Sequence, residues 1–175
     1  MKIVTIFAPW LFAFHYMGEE DNEYERLLSL WIDTEYVRSF LNENNRDIPN
    51  GKTKRQFVEY IREDALSIDE QLIKITETTD QSLSYFFQSL YNSEYQCKIL
   101  SLQKGREHCL RLYAIKIDED TFVITGGAIK LPLHHLMEDR EHTKVELQKL
   151  EKAKSYLKEN GVFDEDSFFE FLIEN

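Results

Sequence analysis

Three prolines and six glycines in a chain of 175 residues leave few places where a regular element must stop. Long helices and strands joined by short connections are therefore expected. Only two cysteines are present, Cys97 and Cys109. Their spacing fits no zinc or redox motif, and so small a number describes no secreted disulfide scaffold. Both read as small apolar groups of the core. Basic charge is scarce as well: 21 Lys and Arg stand against 32 Asp and Glu, a net of −11. That balance argues against non-specific nucleic-acid binding, which draws on cation–phosphate contacts. No stretch approaches the roughly twenty uncharged apolar residues of a membrane span. The apolar start, MKIVTIFAPWLFAFHYM, is interrupted by Pro9 and His15 and lacks the longer basic opening and small-residue cleavage site of a signal peptide. A cytoplasmic protein without membrane contact is expected.

Catalytic signatures are missing too. There is no Gly-rich phosphate loop, no GxSxG, no HExxH and no CxxC pair. The histidines are His15, His108, His134, His135 and His142. Three of them bracket HHLMEDREH, but that spacing fits no helical pair of ligands and Pro132 marks a loop. No metal and no cofactor are expected.

What the chain has is apolar bulk. Hydrophobic residues make up 42%, with twelve Phe, nine Tyr and two Trp, enough for a packed core. KIVTIF (2–7) reads as a strand. Residues 23–42 place Tyr24, Leu27, Leu28, Trp31, Val37, Phe40 and Leu41 close to a 3.6 period, which predicts one amphipathic helix. After the turn at Pro49–Gly51, Thr53 and Gln56 form a capping box for a helix whose stripe is Phe57, Ile61, Ala65, Ile68, Leu72 and Ile75, with the acids off it. Asp80 is placed to cap a shorter helix bearing Leu83, Phe86, Phe87 and Leu90. Phe12, Phe14 and Tyr16 read as core.

From Tyr95 the pattern changes. YQCKILSL (95–102), CLRLYAIKI (109–117) and TFVITGGAI (121–129) read as strands, with QKGR (103–106) and DED (118–120) as the reversals. A helix over 142–161 follows, with Thr143 and Glu146 as its capping box, Leu147, Leu150, Ala153 and Leu157 as its stripe and Gly161 at its stop. Asp164 caps the last helix. The expected class is α+β. A small antiparallel sheet, a three-strand meander plus the N-terminal strand, packs with flanking helices in one domain over 1–175. Residues 20–90 are its acidic helical part.

Charge is unevenly spread. Residues 1–95 carry nine basic and seventeen acidic side chains, whereas 96–116 carry five basic residues (Lys98, Lys104, Arg106, Arg111, Lys116) against Glu107 alone. A basic patch on an acidic body follows. Period-2 alternation puts Arg111 and Tyr113 on one strand face, and Lys130 closes the next strand. Two cations and a phenol there would hold a phosphate, offset developing phosphorane charge and move a proton, which is what metal-free RNA cleavage needs. The plainer alternative pairs Arg111 with a helix carboxylate and buries Tyr113. Gly126 and Gly127 mark a bulge or a tight sheet–helix contact, or else the close approach of a ligand.

LRLYAIKIDEDTFVITGGAIK (110–130) followed by TKVELQKLEKAKSYLKE resembles the sheet-and-helix end of the RelE/ParE toxin superfamily, including HigB and phage-encoded relatives. The match spans about residues 95–160, with KIVTIF as the family's first strand. It implies a RelE-like fold and a toxin that cleaves mRNA at the ribosome, or acts on gyrase, held in check by an antitoxin. Arg111, Tyr113 and Lys130 match the family's basic and aromatic strand residues and are the candidate catalytic group. Lys98, Lys104, Arg106 and Lys116 are the candidate substrate-binding cations. The chain departs from the family in its acidity, in Leu131 where a second lysine would stand, and in its helical region at 20–90. Two further functions stay open: a non-enzymatic module that binds a protein through its acidic helices, and a nucleic-acid mimic built on the same acids.

Overall fold

The computed structural model describes residues 1–44, 48, 51–78, 81–90, 100–131 and 141–174. Short polar side chains set the helix boundaries. Asn22 accepts from the N–H groups of Tyr24 and Glu25 at 3.0 and 3.1 Å and opens α1 (Glu23–Ile32). Asp33 then closes α1 and, accepting from Glu35 and Tyr36, opens α2 (Thr34–Glu43). The single helix expected over 23–42 is therefore two. The apolar period runs through the break because Leu27, Trp31, Val37 and Leu41 bury into the same core. At Asp33, side-chain bonds to the N–H groups ahead displace helix continuation.

The Thr53–Gln56 capping box opens α3 (Lys54–Glu77), and its whole predicted stripe is buried. Asp64, expected off the stripe, is buried as well. Asp80 lies outside the described residues. Ser82 caps a single turn, α4 (Leu83–Phe86), so Phe87 and Leu90 fall beyond it, and β3 (Gln88–Ser89) follows.

The apolar N-terminus forms a hairpin, β1 (Lys2–Phe7) against β2 (Leu11–His15), with Phe12 and Phe14 buried and Tyr16 half-buried. Among the described residues no helix is long and apolar enough to cross a membrane. β4 (Ser101–Glu107), β5 (Leu110–Lys116) and β6 (Phe122–Ile129) are successive antiparallel neighbours. The turn at 118–120 falls where expected, with Ile117 N–H donating to Thr121 O at 2.8 Å. The earlier reversal does not. QKGR lies inside β4, and the chain turns at His108, whose φ is 43°, and Cys109. Gly105 is in the strand for packing: a Cβ there would stand 1.9 Å from the Phe86 ring. Residues 95–99 of the expected first strand lie outside the described residues, as does Cys97. Cys109 is half-buried and free.

The strand order is β1-β2-β6-β5-β4-β3. β2 runs parallel to β6, Leu11–Ala13 beside Phe122–Ile124, so the sheet is mixed rather than antiparallel throughout. The helices between these strands supply the long connection that parallel neighbours require. One apolar layer joins α1–α4 to Leu110, Leu112, Ala114 and Ile124; the other joins Tyr113, Ile115 and Val123 to α5 (Glu141–Glu159) and α6 (Glu165–Glu174). In α5, Leu150, Ala153 and Leu157 are buried and Leu147 half-buried. The Thr143–Glu146 capping box does not form. Thr143 is buried within the helix, and Glu146 accepts from the Gly127 N–H at 3.0 Å. Gly161 follows the helix end at φ 78°, and Asp164 accepts from the Ser167 N–H at 2.8 Å to cap α6.

Candidate functional site

Directly opposed residues of neighbouring strands share a sheet face. Lys104 opposes Tyr113, Arg106 opposes Arg111, and Arg111 in turn opposes Ala128. Lys104, Arg106, Arg111 and Tyr113 therefore lie on one face, as alternation predicts for Arg111 and Tyr113. Lys130 stands two residues beyond Ala128, and its N–H donates to Cys109 O at 2.7 Å, tying the end of β6 to the β4–β5 turn. The Arg111 guanidinium folds back onto that turn and donates to His108 O at 2.6 Å and Leu110 O at 2.8 Å. It pairs with backbone, not with the helix carboxylate of the plainer alternative.

Among the described residues none of Lys104, Arg106 and Arg111 is paired with a carboxylate. Burial, then Arg111 and Arg106, holds the Lys104 ammonium below the usual lysine range. Two arginines facing each other across strands destabilise the sheet, and among the described residues no carboxylate offsets this pair.

The other predicted residues are placed differently. Tyr113 is 1% exposed, and burial raises its phenol well above the ordinary value. It is part of the core. Lys116 lies on the opposite face, 7% exposed, its Nζ 3.3 Å from Ser84 Oγ and 5.7 Å over the Phe122 ring. Lys98 lies outside the described residues.

His108 is the residue that sequence reasoning passed over. Its Nδ1 stands 2.7 Å from Asp64 Oδ1 and 3.7 Å from Glu107 Oε1, and its side chain is 65% exposed. The hydrogen bond and charge of Asp64 raise the imidazole; burial raises the Asp64 carboxyl, against the pull of His108. With Nδ1 turned inward to Asp64, Nε2 is the nitrogen left for proton exchange. One signal was legible: Asp64 continues the Phe57–Ile61–Ile68 period as an acid on an apolar stripe. Asp64, Glu107 and His108 also offer ligand atoms within 4.8 Å of one another, a carboxylate–imidazole set that suits a divalent ion. Among the remaining histidines, His134 and His135 lie outside the described residues. His142 bonds Ile129 O at 3.0 Å and meets Phe40 edge-on.

The glycine pair serves packing. The β5–β6 register slips between Tyr113 and Ala114, opposite Gly126 and Ile124, which is the expected bulge. A Cβ on Gly126 would stand 2.0 Å from Glu146 Oε2. Glu146 reaches this point beside Glu23, Arg26 and Lys149, and burial, opposed by Lys149, raises its carboxyl. A carboxyl raised on folding holds its proton more tightly in the native state. Its stabilising contribution is complete below the ordinary carboxylate range and fades as pH rises through the raised value. Glu146→Gln keeps an acceptor for Gly127 and removes that titration. Urea unfolding at about pH 5 and pH 7 should show the variant less pH-dependent than wild type and at least as stable at pH 7. A variant clearly weaker at pH 7 would mean that Arg26 and Lys149 require the charge.

No protein-family model matches this chain, and neither does any curated protein or solved structure, so its function has to be read from its own residues.

Proposed function

We propose that the chain is a toxin-like, RNA-directed protein of the RelE/ParE type. The observation that carries this reading is the Arg106–Arg111 pair, with Lys104 beside it and no carboxylate partner among the described residues, on a protein of net charge −11. The α+β fold, with the N-terminal strand joined to the sheet, is consistent with it. In the reaction, the ribose 2′-oxygen bonds to the adjacent phosphorus as the bond from phosphorus to the 5′-oxygen breaks. The 2′-hydroxyl gives up its proton to solvent water, a 2′,3′-cyclic phosphate forms, and the departing 5′-oxygen takes a proton. Arg111 and Arg106 offset the charge of the phosphorane. Since Tyr113 is buried, His108 supplies the proton to the leaving oxygen, oriented by Asp64 and kept protonated toward neutral pH by it. The protein partner is an antitoxin.

Induced expression in a bacterial host tests this. Wild type should arrest growth and cut mRNA, Arg111→Ala should abolish both, and His108→Ala should slow cleavage about a hundredfold or more. Unchanged growth and intact mRNA from soluble wild-type protein would sink the reading. The runner-up is a non-enzymatic module that binds a protein partner through its acidic helices, and one observation favours it: the buried Tyr113 removes the phenol from the group predicted to act on RNA.

A further inference from the structure

A second feature lies along the outer edge of β4. β3 pairs with that edge opposite Gln103 and Lys104, and the Leu90 N–H donates to Leu102 O at 2.9 Å. Beyond β3 a groove of about 360 Å³ opens between β4, the C-terminal part of α3, and α4. Lys104 and Arg106 line it from the strand, Lys74 from α3, and Gln81, Gln88 and Tyr85 from around α4. Among the described residues no carboxylate lines this groove, although the chain carries 32 acids. Lys74, like Lys104 and Arg106, is without a carboxylate partner among the described residues. Gln71 stands at the same edge and donates to Glu107 by a 2.9 Å hydrogen bond.

The floor is built for contact. Phe86 packs close against the strand where position 105 is glycine, and it packs in turn on Phe87 and, through it, on Phe122. Tyr85, the next residue along, is 77% exposed. An aromatic ring left in solvent at the mouth of a cationic groove is not a core residue. It has the form of a stacking platform, whose partner carries both a π-face and negative charge.

We infer that this groove binds single-stranded RNA, one base stacked on Tyr85 with the neighbouring phosphates held by Lys74, Lys104 and Arg106. The inference rests on the RNA-directed reading above and gives that reading a substrate-holding site distinct from the turn at His108. A single strand fits where a duplex does not, because stacking requires an unpaired base. Arg106 borders both regions, so an RNA lying in the groove leads toward Arg111.

The test is fluorescence anisotropy with a labelled oligoribonucleotide of mixed sequence, single-stranded or annealed to its complement. Wild type should prefer the single strand, with affinity falling as salt rises. Tyr85→Ala should weaken binding about tenfold, and Tyr85→Phe should leave it near wild type. Because Tyr85 is exposed, neither change threatens the fold. Lys74→Gln should reduce the salt slope by about 0.7, as the loss of one phosphate contact does. Equal binding by wild type and Tyr85→Ala, a preference for the duplex, or no binding by wild type would overturn the inference. The two readings fail separately. If Arg111→Ala weakens binding while Tyr85→Ala does not, the RNA-directed reading stands and the groove falls. If Tyr85 controls binding but expression neither arrests growth nor cuts mRNA, the groove stands and the toxin reading falls.

Discussion

Replacing Glu23 with alanine should cost about 3–5 kcal/mol of folding stability, the usual penalty for breaking a buried ion pair from one side. Glu23 is the first residue of α1, and its side chain is only 1% exposed. Both of its oxygens are used: Arg26 donates to them at 2.8 and 3.0 Å, and Lys149 Nζ stands 2.6 Å from Oε2. The helix N-terminus adds a smaller favourable term for a negative charge, about 0.3–1 kcal/mol. When Glu23 is removed, Arg26 and Lys149 keep their charges in half-buried positions, with Glu146 near both and Glu19 near Arg26. Urea unfolding at neutral pH measures the loss. The double variant Glu23→Ala/Lys149→Met should recover part of it, because an apolar side chain then replaces the stranded ammonium. A loss under about 1 kcal/mol for Glu23→Ala would show that the network behaves like a surface pair.

Gly127→Ala is the second large effect, at about 2–3 kcal/mol. A Cβ at this position would stand 2.7 Å from Arg111 O, 2.9 Å from Leu27 Cδ1 and 2.9 Å from Trp31 Cη2. The first obstacle is the backbone of β5, which cannot retreat without disturbing the sheet, and the other two belong to α1, whose Leu27 and Trp31 are buried. Gly126→Ala is the instructive contrast. The atom in its way is Glu146 Oε2, the far end of a flexible side chain, so that variant should lose less stability. Thermal unfolding of the two variants side by side checks the order, and an inverted order would refute the argument.

These two sites show how far the sequence could be read. Local signals carried over well. The Thr53–Gln56 box, the α3 stripe, the 118–120 turn, the Gly161 stop and the Asp164 cap each depend on atoms a few residues apart, which a linear pattern records. Long-range partners decided the rest. Thr143 and Glu146 have capping-box spacing, but the N–H that claims Glu146 belongs to Gly127, nineteen residues away. QKGR looks like a reversal until Phe86 is packed over Gly105. Asp33 interrupts a helix that its apolar neighbours would continue. In the candidate site, the shared face of Arg111 and Tyr113 followed from alternation, whereas the burial of Tyr113 and the placing of Lys116 on the other face needed the second layer of helices. The contact between His108 and Asp64 joins residues 44 apart in sequence, and periodicity registers only the aspartate.

The parallel pairing of β2 with β6 has a consequence for how the molecule is made. Leu11–Ala13 leave the ribosome more than a hundred residues ahead of their strand partner, Phe122–Ile124. At about 5–20 residues per second, that gap lasts roughly 5–20 seconds. During it the apolar strand Leu11–Phe14 has β1 on one side and an unpaired edge on the other. Contacts of such high sequence separation slow folding and leave a sticky edge waiting. The acidic helices α1–α3, which in the folded protein pack on one face of the sheet, are synthesised within that interval, before β6 arrives to close the edge.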